Sequence, residues 1–217
     1  MDATTPLLLG VPPAQARVVC VFVHGRTQSP EEMEDHVVRH IDVPGIAWVL
    51  PRAAGRAWYA ARAVDPLTDD TRAALAAARA QLARDVAAAR AAAPEVPLML
   101  AGFSQGACLT LEYLLAGGGG ADAAAAFTGC RVGVPADDLP RADLAGLPVY
   151  LSGGDADPWI PVHAFAAAAG ELGLARAALR ADLFPGRPHE VSAPERAVLA
   201  SMLTALATGR APLERAA

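Results

Sequence analysis

Six short apolar runs, each closed by a glycine or a proline and separated by helical stretches, set the tightest limit on how this chain can fold. The first, "ARVVCVFVHG" (16–25), is continuous, rich in β-branched residues and ended by Gly25. That is the pattern of a strand buried on both faces. "IAWVLP" (46–51), "PLMLAG" (97–102), "AAAFTGC" (124–130), "PVYLSG" (148–153) and "ALRADLFP" (178–185) read the same way. Runs of this kind alternating with helices predict a mostly parallel sheet wrapped by helices. "TPLLLGV" (5–11) reads as an edge strand, with a hairpin to the next strand as one option.

The helical stretches carry their own start and stop signals. "SPEEMEDHVVRHI" opens with Ser29 as N-cap, Pro30 at the first helical position and acidic residues in the first turn. Residues 69–93 form the clearest helix: Asp69 or Asp70 caps it, and Leu75, Leu82 and Val86 recur on one face until Pro94 stops it. Residues 104–116, 161–172 and 193–207 supply three more. "GGGG" (117–120) lacks the lysine and spacing of a phosphate loop and reads as a helix-end linker. With no internal repeat and no dividing linker, residues 1–217 are expected to form one domain.

Bulk composition narrows the function classes. An apolar fraction of 53% and a charged fraction of 19% describe a globular chain, and a net charge of −5 gives no reason to expect nucleic acid or an anionic membrane as partner. The N-terminal "MDATTPLLLG" lacks the basic region and apolar length of a signal peptide. No run of about 18 apolar residues suggests a membrane span. Cys20, Cys108 and Cys130 include no C-x-x-C pair and read as small buried hydrophobes in a reducing compartment, so a cytoplasmic protein is expected.

Chemistry enters at "AGFSQGACL" (101–109), where Ser104 lies between Gly102 and Gly106. A G-x-S-x-G triplet alone is weak, but this one follows a predicted strand and opens a predicted helix. That junction is the context of a nucleophile elbow, in which side chains at the flanking glycines would collide with backbone. A serine needs a base and an orienting carboxylate, in the chain order Ser, Asp or Glu, His. His189 follows the last strand in "FPGRPHEVSAPE" and has the right place. His24, His36 and His40 precede the serine, and His163 comes too early. His36 and His40 are four apart on a helical stretch and could share a metal, but no third ligand is evident. For the acid, "PVYLSGGDADPWIP" offers Asp155 and Asp157, and spacing does not choose between them. One oxyanion N–H is expected from Gln105, the residue after the nucleophile, and another from the loop after the first long strand. Trp58, Tyr59 and Trp159 fall in segments expected at the active edge, as lining of an acyl pocket or as core.

These stretches resemble the carboxylesterase/phospholipase family of α/β-hydrolases, which includes acyl-protein thioesterases and small bacterial esterases. "VFVHGRTQSPEEM", "LPRAAGRAWY", "GFSQGACLTLEY", "SGGDADPWIPV" and "FPGRPHEVSAPE" carry the likeness over residues 18–195. The resemblance implies Asp157 in "DPWIP" as the acid, His189 as the base and the backbone N–H of Arg26 as the second oxyanion donor. Many relatives carry leucine where this chain has Arg26, so the likeness is closer to a bacterial branch with "HGR". Its guanidinium is open to two roles, a surface ion pair or contact with an anionic part of a substrate. The expected protein is a small α/β-hydrolase, a mostly parallel sheet flanked by helices without a separate lid domain. It would be a serine hydrolase of carboxylic esters or thioesters with compact acyl groups, working through Ser104, His189 and Asp157. The alternatives are a lysophospholipase or acyl-protein thioesterase, and a non-catalytic scaffold that binds a small ligand. No metal and no cofactor are expected. The partner expected is a small-molecule ester, with no nucleic acid and no integral membrane association, and a homodimer is compatible with the sequence. Whether residues 50–70 cover the site is open.

Overall fold

The apolar runs assemble into one sheet of seven strands: β1 (Leu7–Gly10), β2 (Val18–Val23), β3 (Ile46–Leu50), β4 (Leu98–Phe103), β5 (Ala123–Phe127), β6 (Pro148–Gly154) and β7 (Ala178–Phe184). Their spatial order is β1-β3-β2-β4-β5-β6-β7. Every neighbouring pair is parallel except β1 and β3. This computed structural model describes residues 4–213; the expectation for the N-terminal stretch falls partly on residues 1–3, outside the described residues.

Strand β2 is buried along its whole length, as its continuous apolar run requires. Its side chains alternate between two cores. Val19, Val21 and Val23 face a core closed by α2 (Asp69–Ala92), α3 (Gln105–Leu115) and α4 (Val162–Leu174). Val18, Cys20 and Phe22 face the other, closed by α1 (Pro30–His36) and α5 (Ala193–Ala207). Helix α3 is buried at every position because it lies between the sheet and α2. After β2 the chain crosses to β3 on one side and then to β4 on the other, a reversal that opens a crevice at the C-terminal ends of β2 and β4.

Four details differ from the sequence reading. Strand β1 pairs antiparallel with β3 rather than forming a hairpin with β2, with Leu8 opposite Val49. Strand β7 is not buried on both faces; it is the far edge, and its residues are exposed or half-buried. The cap of α2 is Thr68, whose side chain accepts a hydrogen bond from the Thr71 N–H (3.2 Å), rather than Asp69 or Asp70, which lie in the first turn. Helix α1 keeps the Ser29 cap but ends at His36, because Val37 leaves helical geometry (φ −127°, ψ −61°) and a short 3-10 turn follows at Val38–His40. Among the described residues no helix is long and apolar enough to cross a membrane.

Candidate active site

Ser104 stands at the point where β4 ends and α3 begins, with φ 55° and ψ −120°. A non-glycine residue in this region costs on the order of 1–3 kcal/mol, so the surroundings must enforce it. They do so through the two glycines. A Cβ on Gly102 would lie 2.4 Å from the Gly106 carbonyl oxygen, and one on Gly106 would lie 2.1 Å from that of Val23. The Ser104 N–H is fixed by the Phe127 carbonyl (2.9 Å). The hydroxyl is thereby raised above the sheet edge.

Three side chains from three different connections meet there. Ser104 Oγ and His189 Nε2 are 2.8 Å apart, and His189 Nδ1 and Asp157 Oδ2 are also 2.8 Å apart. The carboxylate can only accept, so Nδ1 carries the proton and Nε2 is left to accept from the serine. Asp157 is held by the N–H groups of Trp159 (2.8 Å) and Ile160 (3.0 Å), both donating to Oδ1. Burial pushes its carboxyl up, but the hydrogen bonds from His189, Trp159 and Ile160 outweigh this and hold it below the usual carboxylate value. Asp155 points elsewhere: its Oδ1 accepts from the Gly186 N–H.

The opposite wall is the loop after β2 together with the connection after β3. His24 is buried and braces both. Its Nε2 accepts from the Ala53 N–H (3.1 Å), which puts the proton on Nδ1, and that donates to the Gly25 carbonyl (2.7 Å). Burial lowers its pKa, so the ring stays neutral near pH 7. Beside it, the backbone N–H groups of Arg26 and Gln105 donate to no protein acceptor among the described residues. Both belong to the wall of a cavity of about 430 Å³ that contains Ser104 and His189.

The three aromatics separate. Trp58 is not in the cleft wall: its indole N–H donates to the His24 carbonyl (2.9 Å) and its ring packs on His24 at 5.0 Å. Tyr59 and Trp159 do line the cavity, the latter 58% exposed at its mouth. His36, His40 and His163 are exposed, and among the described residues no cluster of three or more His, Cys, Asp or Glu side chains is placed to hold a metal. The connection from β3 to α2, with a short 3-10 turn at Ala54–Arg56, supplies a cleft wall rather than a separate lid.

Comparison with known proteins identifies the family and the fold. The family described as phospholipase/carboxylesterase matches residues 11–205. The chain belongs to that family. As such it is a carboxylic ester hydrolase of the α/β-hydrolase fold. A phospholipase/carboxylesterase from Dyadobacter fermentans is 29% identical, with a TM-score of 0.78 over 92% of this chain and 96% of its own. Esterase PE8 (22% identity, TM-score 0.75, 94% of this chain and 99% of its own) shares the fold. So does acyl-protein thioesterase 2 of Zea mays (18% identity, TM-score 0.72, 93% of this chain and 98% of its own). No curated protein matches the sequence significantly.

Around the cleft of this carboxylic ester hydrolase lie side-chain contacts that the sequence does not reveal. The Gln105 side chain accepts from the Trp58 N–H (2.9 Å) and donates to the Tyr59 carbonyl (2.7 Å), tying α3 to the opposite loop. The Arg26 guanidinium makes no ion pair among the described residues; it donates to the carbonyls of Ala60 (2.6 Å) and Ala61. Behind His189, buried Arg187 donates to the carbonyls of Pro188 (2.8 Å) and Glu190 (2.6 Å), the two residues that flank the histidine. Arg187 is faced in turn by Glu195, which is fully buried and accepts from Ser152 Oγ and from the Ser192 N–H (2.7 Å). The S-A-P-E pattern at 192–195 could have found Glu195 as a helix cap, but nothing in it signals the partner arginine.

Proposed function

We propose that this enzyme hydrolyses small or compact carboxylic esters or thioesters through an acyl-enzyme on Ser104. The observation that carries this reading is the continuous hydrogen-bonded line from Ser104 through His189 to Asp157, beside two unused backbone N–H groups. Ser104 Oγ attacks the acyl carbon as His189 Nε2 takes its proton. Asp157 holds the ring and stabilises the imidazolium that forms. The N–H groups of Arg26 and Gln105 receive the oxyanion, the interaction that strengthens most in the transition state. Collapse expels the alcohol or thiol, which takes the proton from His189. A water molecule, activated by the same histidine, then cleaves the acyl-enzyme and restores the serine. Every atom and proton is accounted for without a cofactor.

Size supports compact acyl groups. A cavity of about 430 Å³ lies toward the lower end of the roughly 300–1,000 Å³ usual for small-ligand sites. A long acyl chain gains about 0.8 kcal/mol per buried methylene only where apolar wall continues, and here Trp159 stands open to solvent while Arg62 follows on the rim. The reading places the enzyme in the cytoplasm, consistent with three buried cysteines present as free thiols.

Turnover of p-nitrophenyl acetate tests the chemistry. The wild type is expected to hydrolyse it, and Ser104→Ala is expected to lose on the order of 10⁴-fold or more in kcat while keeping its circular dichroism spectrum. A fluorophosphonate should label Ser104 and no other serine. A wild type that binds esters without turning them over would leave only a binding scaffold. Across p-nitrophenyl esters of increasing chain length, kcat/KM should peak at short acyl groups. Efficiency still rising beyond about eight carbons would indicate a lipid or acyl-protein substrate instead.

A further inference from the structure

The cleft has a charge asymmetry that the reaction itself does not use. Its wall contains two arginines, Arg26 and Arg62, and no aspartate or glutamate, on a chain whose net charge is −5. The two cations have different duties. Arg26 spends its guanidinium on the carbonyls of Ala60 and Ala61. Arg62, next in the chain, has no hydrogen-bond or ion-pair partner for its guanidinium among the described residues. Arg52 and Arg56, on the same connection, are paired with Glu31 and Glu32.

The backbone that carries Arg62 is nonetheless fixed. Its own N–H donates to Asp65 Oδ2 (3.3 Å), the Ala63 carbonyl accepts from the Gly133 N–H (2.8 Å), and the Leu67 N–H donates to Asp137 Oδ2 (3.0 Å). A cation held on anchored backbone, with no carboxylate paired to its guanidinium, in a cleft wall that contains no aspartate or glutamate, is arranged to meet an anion. A guanidinium presents a planar fork of donors that matches a carboxylate. The neighbouring cavity beyond Phe103 and His189 has no such bias, since Asp35 and Glu190 line it together with Arg196.

We propose that the esters cleaved here carry a carboxylate in addition to the scissile group, and that Arg62 reads it. This rests on the hydrolase reading above, because a substrate seated at Ser104 is what brings its charged end to Arg62. Hydrolysis of such a half-ester adds one water and yields two carboxylates, an alcohol and a proton.

Matched pairs of esters test the inference. Monomethyl succinate and monomethyl adipate are each compared with the neutral twin in which an isopropyl group replaces the carboxylate. Para-acetoxybenzoate is compared with para-isopropylphenyl acetate, which moves the charge to the leaving group. In the wild type at low salt, one anionic member is expected to exceed its twin by about tenfold in kcat/KM, with the advantage shrinking as salt is raised. The arm that shows the preference locates the carboxylate in the acyl or the alcohol part. Arg62→Gln should bring that ratio to about one, mainly through KM, and Arg62→Lys should keep part of it. Equal efficiency within every pair, or a preference that survives in Arg62→Gln, overturns the proposal. If p-nitrophenyl acetate is turned over while the twins are equal, only the charge reading fails; if no ester is turned over, the hydrolase reading fails with it.

Discussion

Two arginines do the same mechanical work on opposite walls of the cleft, and they are built differently. Arg187 gathers the carbonyls on either side of His189, and Arg26 gathers those of Ala60 and Ala61. Arg187 is 5% exposed, and its Nε lies 3.5 Å from the carboxylate of Glu195, which is fully buried. Arg26 sits at the rim with no ion-pair partner among the described residues. The reason is desolvation. A cation removed from water needs a buried counter-charge with its remaining lone pairs satisfied, whereas a rim cation keeps part of its hydration. Ser152 and Ser192 supply that satisfaction for Glu195. The wall that holds His189, the proposed base, is therefore part of the core, and the wall that carries Arg26, the proposed oxyanion donor, is tied on from outside. The first is suited to invariant chemistry and the second to choosing among substrates.

Breaking the core-built wall at its reacting end should have the largest effect. Asp157→Asn is expected to lower kcat by about 10⁴-fold, because an amide in that position favours the wrong tautomer of His189. Asp155→Asn keeps an oxygen that accepts from the Gly186 N–H, weakens that bond only by removing the charge, and should cost within about tenfold. Measuring kcat for both separates chemistry from loop support. The opposite ranking would move the acid to Asp155.

Next comes the arginine comparison itself. Glu195→Ala strands the Arg187 cation without its counter-charge, and breaking a buried pair in this way costs about 3–5 kcal/mol. Chemical denaturation should register that loss, together with lower activity as the His189 loop loosens. Arg26→Gln keeps the backbone N–H and loses two exposed-side hydrogen bonds, so it should lower kcat/KM by about tenfold with stability changed by about 1 kcal/mol or less. If the two variants were equally unstable, the distinction between a core-built and a tied-on wall would be wrong.

The same distinction explains what could be read in advance. The strand–turn–helix around Ser104 was legible because its demands are local: glycines two residues either side, an apolar run before and a helix after. His189 is legible from its place after the last strand, whereas only the family resemblance of "DPWIP" separates Asp157 from Asp155. The supporting contacts are not local. Gln105 reaches Trp58 and Tyr59 across 47 and 46 residues, Arg26 reaches Ala60 across 34, and Arg187 reaches Thr128 across 59. No periodicity marks such partners, because they exist only once the sheet has brought the loops together. The partner of β1 and the exposure of β7 escaped for the same reason, since strand order decides which run becomes an edge. The Thr68 cap is hidden in the sequence because the two aspartates after it are equally good caps by type, and only backbone geometry chooses.

The smallest expected effect lies at the outermost tie of the rim wall. Glu31 on α1 pairs with Arg52, the residue before Ala53, whose N–H holds His24. The hydrogen bond from Arg52 draws the Glu31 carboxyl from its ordinary 4.5 down to about 2. The Glu31 side chain is 53% exposed, so solvent screens the pair, and exposed pairs contribute roughly 0.2–1 kcal/mol. Because the folded value is depressed, the contribution is fully present above the unfolded carboxyl value of 4.5 and is lost as pH falls toward about 2. Glu31→Gln should therefore lower stability by at most about 1 kcal/mol at pH 7, and the gap from the wild type should close as the pH is lowered or salt is added. Denaturation curves at several pH values measure it. A gap that widened toward acid would contradict the sign, and a gap of several kcal/mol would mean that this wall, too, hangs on a single ion pair. A small gap is what a wall of many separate ties requires: Arg56 with Glu32, Gln105 with Tyr59 and Arg26 with Ala60 remain when Glu31 is gone.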